Sequence, residues 1–164
     1  GFKQRLALAC AIISGPSIVF LDEPTSGVSP TSRRRFFDIV KKLTQEKVTV
    51  IITTHFMDEA EHCDEIGFIH EGNLIADDTP DNLKKAIPGV LLEIPTPDPM
   101  GLLNELKDRA IRAFDIYPYG TSLHVLAAPD QTAQFQAWNA QAINPSLEDV
   151  FVFYVKTQRK ELVL

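Results

Sequence analysis

Two short apolar runs, 17–21 (Ser-Ile-Val-Phe-Leu) and 48–54 (Val-Thr-Val-Ile-Ile-Thr-Thr), flank a stretch, 31–46, in which Phe36, Phe37, Ile39, Val40 and Leu43 recur at helical spacing. The runs are continuous and β-branched, so they predict buried strands of the kind found in sheets covered on both faces. The stretch between them predicts an amphipathic helix with Pro30 near its start. Strand, helix and strand in that order imply a right-handed crossover and a parallel sheet with helices packed on it. Upstream, 3–14 is rich in Leu and Ala and apolar on most faces, which predicts a largely buried helix ended by Gly15-Pro16. Downstream, the pattern predicts a short acidic helix over 57–62, a hairpin of strands 66–70 and 73–76 around Glu71-Gly72, and a short helix over 80–86.

The texture changes at Pro88-Gly89, and Pro95, Pro97 and Pro99 punctuate the next ten residues. A domain boundary near Ile87 is therefore expected, with an α/β part over 1–87 and a small α+β appendage over 88–164. Within the appendage the pattern predicts a strand over 90–94, a helix over 100–109, strands 111–118 and 121–127 around Tyr119-Gly120, a helix over 131–138 and a terminal helix over 147–157. The tail 156–164 mixes charge with apolar residues and is expected to fray. Phe114, Tyr117, Tyr119, Phe135 and Trp138 can line a ligand pocket or form a small core, and their spacing favours the core.

Composition narrows the classes. The 164 residues carry 16 Lys+Arg against 22 Asp+Glu, a net charge of −6, split as −3 on each side of Ile87. Neither part offers the basic surface that phosphate neutralisation on nucleic acid requires, so no nucleic-acid partner is expected. Cys10 and Cys63 form no CxxC pair, which argues against a disulfide framework or zinc site and fits a reducing compartment. Cys10 is expected in the core and Cys63 at a helix end. Lys3 and Arg5 followed by the apolar 6–13 superficially resemble a secretory signal. The chain starts at Gly1, however, and the run leads directly to Gly-Pro and another strand. No apolar stretch approaches the ~20 residues that span a bilayer, so any membrane role is expected to be peripheral. Ser32-Arg33-Arg34-Arg35, near a helix start, reads as a solvated face.

Chemistry concentrates where the predicted strands end. The first delivers Asp22 and Glu23 to its carboxyl end, where open α/β sheets bind ligands. One such acid can hold Mg²⁺ through its water shell while the other orients or deprotonates an attacking water. The second strand ends at His55, so two consecutive parallel strands bring a carboxylate pair and an imidazole to one edge, within reach of a terminal phosphate.

In order along the chain, Gly1-Phe2-Lys3-Gln4-Arg5, Leu21-Asp22-Glu23-Pro24-Thr25, Ser26-Gly27-Val28-Ser29-Pro30 and Thr53-Thr54-His55 resemble the signature-motif end, Walker B strand, D-loop and switch histidine of ATP-binding cassette (ABC) transporter nucleotide-binding subunits. Met57-Asp58-Glu59-Ala60-Glu61 and Pro145-Ser146-Leu147-Glu148-Asp149-Val150-Phe151 resemble the branch serving ABC-2-type export permeases, often described as multidrug exporters. The resemblance implies an incomplete P-loop NTPase domain followed by a regulatory or dimer-stabilising appendage. It implies an ATP hydrolase with ATP and Mg²⁺ as ligands, working on the cytoplasmic face of the membrane with a permease and a second nucleotide-binding domain, alike or different. It further implies that Asp22 organises Mg²⁺, Glu23 polarises water and His55 contacts the γ-phosphate, while Gly1, Gln4, Ser26, Gly27 and Ser29 serve nucleotide binding. A glycine at position 1 would let the backbone approach a phosphate held by the partner domain, at the start of a helix whose N–H groups favour anions.

Two departures stand out. No GxxxxGK[ST] phosphate loop occurs within these residues, so the isolated chain is expected to lack ATP affinity and to be inactive. Ser29 stands where the family usually has Asp, which bears on coupling between the two ATP sites. A non-transport ATPase of the same superfamily, and a truncated partner without catalysis, are the alternatives.

Overall fold

The chemistry of the N-terminal part depends on how its two apolar runs pair. In the computed structural model, which describes the backbone at 2–161 and side chains at 2 and 6–159, the chain divides into two units, Gly1–Cys63 and Asp64–Leu164. The first comprises α1 (Phe2–Ile12), β1 (Ile18–Asp22), α2 (Pro30–Gln45), β2 (Thr49–Thr53) and α3 (Met57–Ala60). β1 and β2 pair in parallel, with Val19 opposite Val50 and Asp22 opposite Thr53, and α2 is the crossover between them. Ser29 caps α2 by accepting the Ser32 amide, and Pro30 occupies the first turn, where a missing N–H is harmless. α2 buries Phe36, Val40 and Leu43 with Leu8 of α1, and Leu21, Val50 and Ile52 pack against them from the strands.

The burial is one-sided. Ile18, Phe20 and Ile51 alternate onto the other face of the strand pair and are 50%, 73% and 45% exposed. The expectation of strands covered on both faces therefore does not hold in this chain: α1 and α2 cover one face, and two strands expose the other. α1 departs from its expectation for the same reason. Among its described side chains Leu8 alone is buried, while Phe2 and Leu6 are exposed, and Cys10, expected in the core, is exposed too.

The second unit contains β3 (Ile66–His70), β4 (Asn73–Asp78), α4 (Pro80–Lys85), β5 (Val90–Pro95), α5 (Pro99–Asp108), β6 (Asp115–Tyr119), β7 (Ser122–Ala127), a 3₁₀ helix (Pro129–Trp138), β8 (Gln141–Ile143) and α6 (Leu147–Glu161). β3 and β4 form the expected hairpin, and β6-β7-β5-β8 form an antiparallel sheet in that order. Its core gathers Leu92, Ile94, Leu102, Leu103, Leu106, Leu123, Val125 and Phe135. Ile87 lies within this unit, and α6 reaches back to elements that precede it: Phe151 meets Phe68 of β3 edge-on at 5.4 Å, and α6 packs on α4 and β4. The Pro88-Gly89 break has a local steric cause. Gly89 sits at φ +83° with Ala127 O in the space a Cβ would occupy, so only glycine lets the chain pass β7 here.

One carboxylate fixes the start of α6. Asp149 Oδ2 accepts the Ser146 amide (2.8 Å) and hydroxyl (2.6 Å), and the Asp149 amide donates back to Ser146 Oγ, a reciprocal cap. Its other oxygen takes the Tyr117 hydroxyl at 2.8 Å and lies 2.7 Å from His124 Nδ1, all but sealed from water. Burial alone would raise this carboxyl; the hydrogen bonds from Ser146, His124 and Tyr117 outweigh it and hold it below the ordinary range. Of the aromatic set, Phe135 is core and Trp138 packs against it, Tyr117 joins this polar network, Tyr119 stacks on His124 and donates its hydroxyl to Glu148, and Phe114 is half exposed.

Candidate functional site

The parallel register puts the ends of β1 and β2 side by side. Asp22 closes β1, and its Oδ1 accepts a short hydrogen bond from the hydroxyl of Thr53, its register partner on β2. The Glu23 amide continues the ladder by donating to Thr53 O at 3.0 Å. The chain then turns sharply: Glu23 has φ +40°, a left-handed conformation that costs a non-glycine residue about 1–2 kcal/mol. Such strain is characteristic of positions where a side chain must be aimed. Here the aim is toward His55, whose Nδ1 lies 3.2 Å from Glu23 Oε1. The two side chains are 51% and 58% exposed, so a ligand and water can reach both. The His55 ring rests on Phe56 with centroids 4.0 Å apart.

Of the residues singled out from sequence, Asp22, Glu23 and His55 are thus brought together. Ser26, Gly27 and Ser29 form the exposed turn just beyond, closed by Ser26 N–H to Glu23 O (3.2 Å) and Val28 N–H to Thr25 O (3.0 Å), with Gly27 at φ +69°. Ser29 carries a role visible only in the structure, since a serine caps α2 as an aspartate would. Gly1 lies outside the described residues. Gln4 falls on α1, and its side chain lies outside them as well.

Sequence reasoning passed over the group that holds this edge together. Glu59 of α3 is 1% exposed. Its Oε1 accepts a short hydrogen bond from Thr25 Oγ1, and its Oε2 accepts Thr54 Oγ1 at 2.7 Å. Arg33 Nε lies 3.1 Å from Oε1, an ion pair not aligned as a hydrogen bond. Arg33 also pairs with Asp58 at 3.0 Å and lies over the Phe56 ring at 4.3 Å. The basic run at 32–35 is therefore not uniformly solvated: Arg34 and Arg35 are exposed, whereas Arg33 turns inward because a buried carboxylate needs a cation.

Asp22 is the candidate metal-binding side chain. Among the described residues no group of three or more His, Cys, Asp or Glu converges on a metal position. One exposed carboxylate, with one oxygen tied to Thr53 and the other without that tie, fits Mg²⁺ held largely by water and substrate phosphates. Among the described residues no helix is long and apolar enough to cross a membrane.

Several known proteins are similar to this chain. Residues 1–56 match the family described as "AAA domain, putative AbiEii toxin, Type IV TA system". Over 84 residues the chain is 60% identical to "Probable multidrug ABC transporter ATP-binding protein YbhF" of Escherichia coli (strain K12), covering 51% of this chain and 14% of that protein. It is 42% identical over 108 residues to "Nod factor export ATP-binding protein I" of Burkholderia orbicola (strain AU 1054), covering 65% and 36%. It is 41% identical over 95 residues to "Daunorubicin resistance ATP-binding protein DrrA2" of Streptomyces coeruleorubidus, covering 57% and 30%. The relatives of this chain are thus ATP-binding proteins of ABC transporters, matched over part of its length. The chain in turn spans 14–36% of the length of these three.

Proposed function

We propose that this chain is part of an ATP-hydrolysing subunit that powers transport, in the export direction, through a separate ABC-2-type membrane permease. The observation that supports it best is the meeting of Asp22, Glu23 and His55 at the end of two parallel strands. In this reading the working protein adds a phosphate-binding loop and pairs with a second nucleotide-binding domain, alike or different. It sits on the cytoplasmic face of the membrane beside the permease. Residues 1–87 would belong to the ATPase domain and 88–164 to a regulatory or dimer-stabilising appendage.

Each residue has a task that its surroundings permit. Asp22, steadied by Thr53, would hold Mg²⁺, which when bound neutralises charge on the phosphates. Glu23 would take a proton from the water that attacks the terminal phosphorus; as the new P–O bond forms, the bond to the departing ADP breaks. His55, with Nδ1 toward Glu23, would present Nε2 to the γ-phosphate and so report its presence. Gly1 and Gln4, and the turn at Ser26, Gly27 and Ser29, would face nucleotide across the dimer.

The test is Glu23→Gln in the longer protein. An amide cannot accept the proton, so kcat for hydrolysis should fall about 100- to 10,000-fold while ATP binding persists. Unchanged hydrolysis would leave the carboxylates without a catalytic role and overturn the reading.

A further inference from the structure

We infer that Glu59 is the positioning residue that fixes the Glu23 and His55 loops relative to each other. The inference deepens the ATPase reading and rests on it for the catalytic consequence, though not for the structural one.

A carboxylate buried to 1% exposure is unfavourable unless donors and a cation surround it. The donors around Glu59 are not a random set. Thr25 lies two residues beyond Glu23, and Thr54 immediately precedes His55. Each hydroxyl takes a different oxygen of the same carboxylate, Thr25 binding Oε1 and Thr54 binding Oε2. The two loops, 34 and 5 residues away from Glu59 along the chain, are thereby tied to one rigid planar group. Arg33 supplies the compensating charge from α2, and its guanidinium is held in turn by Asp58 and the face of Phe56. Phe56, against which the His55 ring rests, donates its amide to Thr54 Oγ1 at 3.0 Å. The chain of contacts therefore runs from Glu59 to the ring at one end and to the strained turn at Glu23 at the other. Glu23 and His55 themselves are half exposed, and a contact between two such side chains is too weak to set their spacing. Glu59 supplies that constraint from behind, without touching substrate.

Small misplacements of reacting groups reduce rates by about 100-fold, so loosening this tie should appear in kcat rather than in nucleotide affinity. In the longer protein, Glu59→Gln is expected to lower kcat by about 10- to 100-fold with KM for ATP changed less than about twofold. Thr25→Val, which removes only the hydroxyl, should show the same split, and Thr25→Ser, which restores it, should recover most of kcat. If Glu59 merely anchored α3, Thr25→Val and Thr25→Ser would behave alike.

A second measurement needs no nucleotide. In the 164-residue chain, Glu59→Gln and Thr25→Val should each speed amide hydrogen exchange at Ser26, whose N–H closes the turn onto Glu23 O, by about tenfold or more. Glu59→Gln should speed it at Phe56 as well. Faster exchange at Phe56 with Ser26 unaffected overturns the inference. Faster exchange at both, with no kcat loss in either Glu23→Gln or Glu59→Gln, upholds the tie and overturns the ATPase reading alone.

Discussion

Glu23 Oε1 lies 3.2 Å from His55 Nδ1, although 32 residues separate them in the chain. The proximity is a consequence of register rather than of the pair's own attraction. Asp22 pairs with Thr53, so the residues just past each strand emerge at the same edge, and the left-handed turn at Glu23 then swings its side chain toward the second strand.

That turn makes a counterintuitive prediction about stability. Glu23→Gly removes strain of about 1–2 kcal/mol, against about 0.5–1 kcal/mol of extra freedom in the unfolded chain. The exposed contact with His55 contributes little. Denaturant titration of the 164-residue chain should therefore show the glycine variant as stable as the parent or up to about 1 kcal/mol more stable. A loss of more than about 1 kcal/mol would mean that Glu23 holds the fold as well as the site.

Nucleotide binding by the chain alone is a separate matter. Its 164 residues contain no GxxxxGK[ST] loop, and the exposed edge at Asp22, Glu23 and His55 offers two carboxylates and one imidazole to a highly charged anion. Titration calorimetry of the chain with Mg-ATP should detect no binding at micromolar concentrations. A micromolar affinity would show that these residues build a phosphate site of their own.

The exposed face of α1 can be probed through its thiol. Cys10 is exposed, whereas Cys63 is partly covered beside Glu59 O. A maleimide reagent should modify Cys10 first, several-fold faster than Cys63 under native conditions, and denaturation should equalise the two. Equal native rates would place Cys10 under cover.

Much of this arrangement was legible in the residues, and the exceptions have physical causes. The runs at 17–21 and 48–54 announced parallel strands because continuous β-branched stretches have few other uses, and Pro30 marked the helix start. Asp22, Glu23 and His55 could be placed from strand ends alone. Glu59 could not, because it sits in an acidic stretch, 57–61, and its burial depends on Thr25 and Arg33 at distant positions. The texture change near Ile87 marks where the backbone passes β7 at Gly89, whereas the packing of α6, some sixty residues later, on β3 left no local signal there. β8 has three residues, Gln141–Ile143, too few to show a period, and gains its identity only by pairing with β5. The segment at 129–138 kept its helical tendency but formed the tighter 3₁₀ form, ending at Asn139 in a left-handed conformation.

The C-terminal unit should respond to pH at both extremes through one cluster. Asp149 has its carboxyl held below the ordinary value of 3.8, so the stabilisation it contributes is present above that value and is lost as pH falls through the depressed one. Tyr117 has its phenol raised by burial and by the hydrogen bond to Asp149, so its contribution is present below about pH 10 and is lost as pH climbs further. Between roughly pH 5 and 9 these two groups should leave stability flat. Asp149→Asn strips the charge that faces His124 and weakens the cap on α6, and should cost about 3 kcal/mol near neutrality. Because the substituted amide does not titrate, the variant should also lose the parent's steep fall below about pH 4. Chemical denaturation followed by the fluorescence of Trp138, which packs on the core of this unit, measures both effects. An acid limb unchanged by the substitution would assign the acid sensitivity to other carboxylates.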